Sequence, residues 1–121
     1  HRTEAPDAKV HIDRSGLTIH WESTHPGLVL WDRQGKPVFG NETRRDTVLI
    51  FPSRKLGIVA RGWIGTSGTV HGVRDTDRST RTEGNRRAIV SFPHCELSYD
   101  DRAYFIANQK RFKPDPAHYV L

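Results

Sequence analysis

The histidines are the side chains of this sequence best suited to metal binding or acid–base chemistry, because imidazole titrates near neutral pH and readily ligates metals. Seven are present: His1, His11, His20, His25, His71, His94 and His118. No pair has the i, i+4 spacing of a helical zinc site, and none has a cysteine partner at zinc-finger spacing. A metal site would form only if folding gathered distant histidines. From spacing alone we therefore expect no metal ligands and no cofactor.

The sequence also lacks the common catalytic motifs. The sequence contains no Gly-x-Ser-x-Gly motif, no P-loop, and no pair of carboxylates with a downstream lysine that would indicate a metal-dependent nuclease. A small basic ribonuclease could be assembled from His20, Glu22, His25 and Arg33, which would supply a base, an acid and a cation for the scissile phosphate. Their spacing does not single them out. We therefore predict no catalytic residues and keep the ribonuclease as an alternative.

Positive charge is concentrated in the middle of the chain. Residues 33–87 contain twelve Arg and Lys residues against five acids, a net charge of +7, whereas the remaining residues carry −2. Arginine outnumbers lysine fourteen to five, and its planar guanidinium suits contacts with phosphates and base edges. This distribution favours a nucleic-acid partner. The predicted phosphate contacts are Arg44, Arg45, Arg54, Lys55, Arg61, Arg74, Arg78, Arg81, Arg86 and Arg87.

The clearest strand signals lie within residues 44–66. Residues 47–51 are an apolar run, residues 52–57 include the turn formers Pro, Ser and Gly, and residues 58–64 are a second apolar run. Two such runs joined by a short turn predict a β-hairpin. Alternation along its second strand would place Val59, Arg61 and Trp63 together on a face that meets solvent or a ligand.

Shorter runs flanked by turn residues predict further strands, at residues 10–12, 17–21, 28–31, 38–39 and 88–92. The first two predict a hairpin, or one strand interrupted by a bulge. Residues 67–87 predict a long basic loop.

One helix is predicted near the C-terminus. Ser98 is a good N-cap, and Asp101 follows three residues later, so we expect a helix to about Lys110. This helix would bury Ala103, Ile106 and Ala107. Together the elements predict a mostly β protein with minor α content, built as a small barrel or curled sheet.

Length and composition predict a single domain over residues 1–121, with residues 1–8 as a flexible tail. Cys95 is the one cysteine, which excludes an intrachain disulfide and suits a reducing compartment. No apolar run is long enough to cross a bilayer, and the N-terminal residues lack the apolar segment of a signal peptide. We therefore expect a cytoplasmic protein without a membrane partner.

Three segments carry a family resemblance: Asp46-Thr47-Val48-Leu49-Ile50-Phe51, then Gly57-Ile58-Val59-Ala60-Arg61-Gly62-Trp63-Ile64, and finally Arg87-Ala88-Ile89-Val90-Ser91-Phe92. They resemble the EVE branch of the PUA-like superfamily, and most of all the EVE-like domains that precede HNH nuclease domains in modification-dependent restriction enzymes. The similarity covers residues 28–92. Arg45-Asp46 replaces the usual Gly-Asp pair of that family.

The resemblance implies a PUA-like β-barrel, of the EVE and YTH type, that reads modified double-stranded DNA without catalysis. A modified base, such as an altered cytosine, would flip into an aromatic pocket, where stacking and edge hydrogen bonds offset the lost pairing. Trp21, Ser23 and Thr24 resemble a stretch that opens this pocket in YTH domains. The full set of pocket residues would be Trp21, Ser23, Thr24, Trp31, Asn41 and Trp63.

On this interpretation the domain is the recognition module of a restriction enzyme, with a nuclease domain covalently linked to it. Two alternatives stay open besides the ribonuclease. One is a general RNA-binding PUA-like module, and the other is a protein-interaction module whose basic loop meets an acidic partner.

Overall fold

The computed structural model describes residues 8–40, 43–61, 68–74 and 87–119. Within these residues the strands are β1 (Ala8–His11), β2 (Leu17–Ser23), β3 (Leu28–Trp31), β4 (Pro37–Phe39), β5 (Leu49–Pro52), β6 (His71–Val73) and β7 (Ala88–Ser91). The helices are α1 (Arg54–Ala60) and α2 (Tyr99–Ala107). Two short 3-10 helices, Gln109–Phe112 and Pro116–His118, follow α2.

The strands form two antiparallel sheets. One has the order β1-β6-β3-β4 and the other the order β5-β2-β7. The predicted mostly β fold with minor helix is therefore confirmed. Among the described strands, no pairing closes the two sheets into a barrel.

The two sheets meet along a shared core. Phe51 of β5 packs edge-on against His71 of β6, with ring centroids 4.9 Å apart. The buried apolar side chains come from both sheets, from α1 and from the segment after α2: Ile12, Leu28, Val29, Trp31, Phe51, Ile58 and Phe112. The inward positions of β2 carry polar side chains, because Thr18 and His20 are buried there. Buried polar side chains need hydrogen-bonding partners. The partner of the Thr18 hydroxyl is Asp13, which belongs to the candidate site described below.

The central hairpin prediction is wrong in its second half. β5 forms near its predicted place, but residues 54–60 form α1 instead of a turn and a strand. Ser53 precedes the helix at the N-cap position without a side-chain capping hydrogen bond, and Arg61 ends the helix in the left-handed conformation with φ of 48°. A short apolar run fits a buried helical turn as well as a strand, and here Ile58 is fully buried while Val59 is exposed. Residues 62–64 lie outside the described residues.

The prediction that the first two strands form a hairpin, or one strand interrupted by a bulge, is also wrong. β1 and β2 form close to their predicted places, but β1 pairs with β6, whereas β2 pairs with β5 and β7. The turn between β1 and β2 therefore carries the chain from one sheet to the other. β3 and β4 form close to the strands predicted at residues 28–31 and 38–39, and they pair with each other as antiparallel neighbours.

The C-terminal helix begins as predicted, but it buries a different face. The Ser98 hydroxyl accepts a hydrogen bond from the Asp101 amide, and the Asp101 carboxylate accepts one from the Ser98 amide, which completes a capping box. Asp101 is the buried residue of the helix and pairs with Arg61 at 3.0 Å. Ala103, Ile106 and Ala107 are exposed, because this ion pair and the contact of Phe105 with Phe112 turn the opposite face inward.

The predicted loop at residues 67–87 contains a strand that was missed. β6 lies at residues 71–73 and occupies the centre of the four-stranded sheet, while residues 75–86 lie outside the described part of the chain. Most of the predicted N-terminal tail, residues 1–7, lies outside it as well. In the part of the chain that the structure describes, neither helix has the length and apolar character that a membrane crossing requires.

Candidate metal centre

Three potential metal ligands come together at one edge of the four-stranded sheet. His11 ends β1, Asp13 follows two residues later, and His71 begins β6. Because β1 and β6 are antiparallel neighbours, His11 lies opposite His71 in the sheet, and their ring centroids are 4.4 Å apart. The spacing of two residues brings His11 and Asp13 to the same side of the chain, and the intervening Ile12 is buried in the core.

The ligand atoms have the separations that one bound ion requires. Nε2 of His11 lies 3.1 Å from Oδ1 of Asp13, and Nε2 of His71 lies 3.2 Å from Oδ2 of Asp13. One donor atom from each of the three residues can be chosen so that all lie within 4.8 Å of one another. Two ligand atoms bound at about 2.1 Å and at a right angle are about 3.0 Å apart, so the cluster is close to the spacing of neighbouring ligands on one metal ion.

Asp13 is held as a carboxylate. Burial raises its pKa, but hydrogen bonds with His11, His71 and Thr18, together with the charge of His71, outweigh burial and hold the pKa of Asp13 well below its usual range. The side chains of Asp13 and His71 are 13% and 8% exposed, whereas that of His11 is 47% exposed. The cluster is therefore anchored in the protein on the side of His71 and open to solvent on the side of His11.

A second layer of hydrogen bonds orients the carboxylate. The Thr18 hydroxyl donates to Oδ2 of Asp13 at 2.6 Å, and the Ser53 hydroxyl lies 2.7 Å from the Thr18 oxygen. Since the single proton of Thr18 points at Asp13, Ser53 is the donor in the second bond. The backbone amide of Arg54 also donates to the Asp13 carbonyl oxygen at 2.8 Å. Metal-binding carboxylates are commonly held in this way.

The orientation of His71 favours a cation at the site. Its Nδ1 lies 3.0 Å from the Thr69 carbonyl oxygen, which can only accept, so Nδ1 carries a proton. In the neutral ring, Nε2 then presents a lone pair to an Asp13 oxygen that already accepts a bond from Thr18. Two acceptors facing each other need a positive charge between them, supplied either by a second ring proton or by a metal ion. A backbone carbonyl on the far nitrogen is also the usual partner of a metal-binding histidine.

A cavity of about 460 Å³ opens directly beside this cluster. It is lined by Val10, His11, Ile12, Asp13, Arg14, Arg54, Lys113 and Pro114. The two histidines and the carboxylate would occupy one side of an ion, which leaves other positions open toward solvent. A ligand in the cavity could therefore reach the metal.

The predicted aromatic pocket is not assembled from the described residues. Trp21 is half exposed on the outer face of the three-stranded sheet, where its indole N–H donates to the Ser91 hydroxyl at 2.8 Å. Trp31 is buried in the other sheet and contacts Tyr119 edge-on. Trp31 lines a cleft of about 940 Å³ that Trp21 does not line. Asn41 and Trp63 lie outside the described residues.

Ser23 and Thr24 lie at a different place from Trp31. They line a small cavity of about 240 Å³ together with Glu22, Arg45 and Arg87. The Ser23 hydroxyl donates to the His25 carbonyl oxygen, and the Thr24 hydroxyl accepts from the Arg87 amide. Both hydroxyls therefore stabilise the backbone where β2 ends, next to the start of β3 and of β7.

The predicted phosphate contacts are dispersed, and several have protein partners. Ion pairs join Arg44 to Asp46, Arg45 to Glu22 and Arg61 to Asp101. Other members of the set lie at separate places: Arg54 beside the metal cluster, Lys55 on α1, Arg74 over the Phe39 ring, and Arg87 at the start of β7. Arg78, Arg81 and Arg86 lie outside the described residues.

The alternative ribonuclease set is not gathered into one site. His20 is buried within β2, and Glu22 pairs with Arg45 at the small cavity. His25 bonds the Thr24 hydroxyl, while Arg33 lines the large cleft with Trp31. None of the three cavities described above is lined by more than one of these four residues.

Sequence reasoning missed His11, Asp13 and His71 as a set. His11 and His71 match neither the helical nor the cysteine-containing spacings of zinc sites, so spacing alone does not mark them as ligands. A local signal was present, because a His-x-Asp unit at the end of an apolar alternating segment offers two ligands on one side of a strand. The third ligand, His71, lies 60 residues from His11 in sequence and is supplied by sheet pairing.

Comparisons with known proteins give one structural neighbour. No protein-family model and no curated protein matches the chain. A crystal structure from Shewanella oneidensis, described as that of a candidate oxygenase, matches with a TM-score of 0.64 at 19% sequence identity. The match covers 90% of this chain and 41% of the neighbour, so the chain corresponds to less than half of the neighbour's length. At this identity the similarity supports a shared fold.

Proposed function

We propose that this chain carries the mononuclear non-haem iron(II) centre of an oxygenase, with His11, Asp13 and His71 as the protein ligands. The observation that carries the proposal is the convergence of two imidazole nitrogens and one carboxylate at ion-binding distances. Two histidines and one carboxylate on one side of the ion, with open positions opposite, are the ligand set of non-haem iron(II) oxygenases. The description of the structural neighbour as a candidate oxygenase agrees with it.

The chain itself would contribute binding, orientation and charge. Iron(II) bound in this way supplies the reactivity toward O2 on which oxygenases depend. Asp13 brings one negative charge to the ion, and its lowered pKa keeps that charge available throughout the neutral range. Thr18 and Thr69 fix the carboxylate and the His71 ring. The cavity beside His11 would give an organic substrate access to an ion held by these three residues.

The same ligand set also occurs in zinc hydrolases, so metal identity is the first test. We expect anaerobic titration of the purified protein to show one iron(II) per chain, with an EPR signal of high-spin iron after addition of nitric oxide. Asp13→Asn and His71→Gln should abolish binding. His94→Gln is the matched control, because His94 is exposed and pairs with Glu96, away from the cluster.

Three outcomes would contradict the proposal. They are wild-type protein that binds no iron(II), variants that bind it as well as the wild type, and zinc binding that iron(II) cannot match under anaerobic loading. Circular dichroism of each variant separates loss of ligands from loss of fold.

The modified-base reader is the second candidate function. It is supported by the cavity at the start of β7, where Ser23, Thr24, Arg45 and Arg87 meet. On this proposal the two sheets would belong to a PUA-like barrel, and the domain would be the recognition module of a restriction enzyme. Fluorescence anisotropy with matched modified and unmodified duplexes tests it. A tenfold preference for one modified duplex, about 1.4 kcal/mol, would support it, and equal binding to all duplexes would exclude it.

A further inference from the structure

The cavity beside the metal cluster has an unusual charge balance. Of the described residues that line it, Arg14, Arg54 and Lys113 are basic, and Asp13 is the one acidic residue. Both Asp13 oxygens are already engaged, Oδ1 by His11 and Oδ2 by His71 and Thr18. Among the described residues, the lining of this cavity therefore offers no carboxylate oxygen that is free to pair with the three cations.

Ion pairs elsewhere in the described residues do not neutralise this group. The pairs involve Arg44, Arg45, Arg61 and several histidines, and none includes Arg14, Arg54 or Lys113. Burial, and then the charge of Arg14, lower the pKa of Arg54. Both residues line the same cavity, so an anion bound there would relieve the repulsion between their positive charges.

Arg54 has hydrogen-bonding capacity to spare. Its Nε is buried and has no hydrogen-bond partner in the described residues. Its Nη2 reaches the Phe112 carbonyl oxygen only at 3.5 Å, the outer limit of a hydrogen bond. A guanidinium normally satisfies its donors with a carboxylate or phosphate, frequently through two parallel bonds.

The backbone of Arg54 is fixed relative to the metal ligands. Its amide donates to the Asp13 carbonyl oxygen, and the preceding Ser53 belongs to the chain of hydroxyls that reaches the Asp13 carboxylate. Gly68 also packs against it, because a Cβ at Gly68 would lie 3.1 Å from the Arg54 amide nitrogen. A group bound by Arg54 would therefore sit at a defined position beside Asp13.

We propose that Arg14, Arg54 and Lys113 form a binding site for an oxyanionic group, a carboxylate or a phosphate, on a small-molecule ligand of the metal centre. The inference rests on the proposed iron site for the ligand's role, but the anion site itself is formed by residues that do not ligate the metal. Arg54 is the anchoring residue. Arg14 and Lys113, both exposed, supply attraction at the cavity mouth.

Calorimetry with malonate and with inorganic phosphate tests the site, and uncharged malonamide is the control ligand. We expect binding of one or both anions by the wild type, at least tenfold weaker binding by Arg54→Met, and several-fold weaker binding by Lys113→Gln. Arg44→Gln is the matched control variant, because Arg44 is exposed and already paired with Asp46. Preference for malonate or for phosphate identifies which oxyanion the ligand carries.

Iron(II) titration of the same variants separates this inference from the proposed function. Arg54→Met and Lys113→Gln should keep iron binding. Asp13→Asn should lose iron binding, although it retains Arg14, Arg54 and Lys113, the three cations of the anion site. Malonamide binding as tight as malonate, or unchanged anion binding in both cation variants, would overturn the anion site and leave the iron site standing. If Arg54→Met does not fold, the exposed Lys113→Gln variant still decides the question.

Discussion

Replacing Thr18 with valine should damage both the stability of the protein and its metal site. Valine has nearly the shape of threonine but lacks the hydroxyl that donates to Asp13 at 2.6 Å and accepts from Ser53 at 2.7 Å. Thr18 and Ser53 are 2% and 1% exposed, so water does not replace the lost partner. A hydrogen bond to a charged group contributes about 1.5–3 kcal/mol, and leaving a buried hydroxyl unsatisfied costs about 1–3 kcal/mol.

We therefore expect Thr18→Val to lower the free energy of unfolding by about 3 kcal/mol, measured by urea denaturation of the metal-free protein. For a domain of this size the midpoint temperature would fall by about 12 °C. Iron(II) affinity should fall about 10- to 100-fold, as is typical when a partner of a metal ligand is lost. Thr18→Ser keeps the hydroxyl and should restore most of the iron affinity.

Thr47→Val is the matched control, because Thr47 is exposed, and its unfolding free energy should change by less than about 0.5 kcal/mol. The reasoning is refuted if Thr18→Val is as stable as this control. It is also refuted if Thr18→Val and Thr18→Ser bind iron(II) equally well, since the hydroxyl would then have no role in positioning Asp13.

Three further predictions follow from single contacts. Folding lowers the pKa of Asp13 from 3.8, so below about pH 4 the folded protein binds fewer protons than the unfolded chain. The free energy of unfolding of the wild type should therefore fall as the pH is lowered through this range. In acid titrations of unfolding, its slope should be steeper than that of Asp13→Asn by up to about 1.4 kcal/mol per pH unit. Gly68→Ala should lower both iron affinity and midpoint temperature, since Gly68 has φ of 117° and an added Cβ would lie 2.5 Å from Ile12; unchanged values would refute the packing argument. Ser98→Ala should destabilise the protein by about 1 kcal/mol in urea unfolding without changing iron affinity, because it removes the cap of α2.

Elements determined by local interactions were predicted well from the sequence. The capping box of Ser98 and Asp101 forms as expected because both residues belong to one helical turn. The turn between β3 and β4 likewise depends on near neighbours, since the Asp32 carboxylate accepts bonds from the amides of Gln34 and Lys36. Gly35 there has φ of 80°, a conformation that favours glycine. Such features need no knowledge of distant parts of the chain.

Elements whose burial depends on distant neighbours were predicted poorly. The sequence Arg54–Ala60 has no unambiguous period, and it becomes a helix in which Ile58 is buried. The prediction of which face of α2 is buried was wrong, because Asp101, a charged residue, is buried through its ion pair with Arg61. Hydrophobicity alone does not identify a buried carboxylate that has a cation and a helix end as partners.

The metal cluster could not be predicted from the sequence because strand pairing brings its ligands together, and the same pairing maintains the site. His71 reaches His11 only through the antiparallel pairing of β1 with β6, where the two histidines are opposite each other. A slip of one residue in a sheet moves side chains to the other face, so it would put Ile12 beside His71 and His11 in the core. The burial of Ile12, against Gly68 on one side, opposes that slip. Ile12, which separates His11 from Asp13 in sequence, therefore holds both ligands in register with His71.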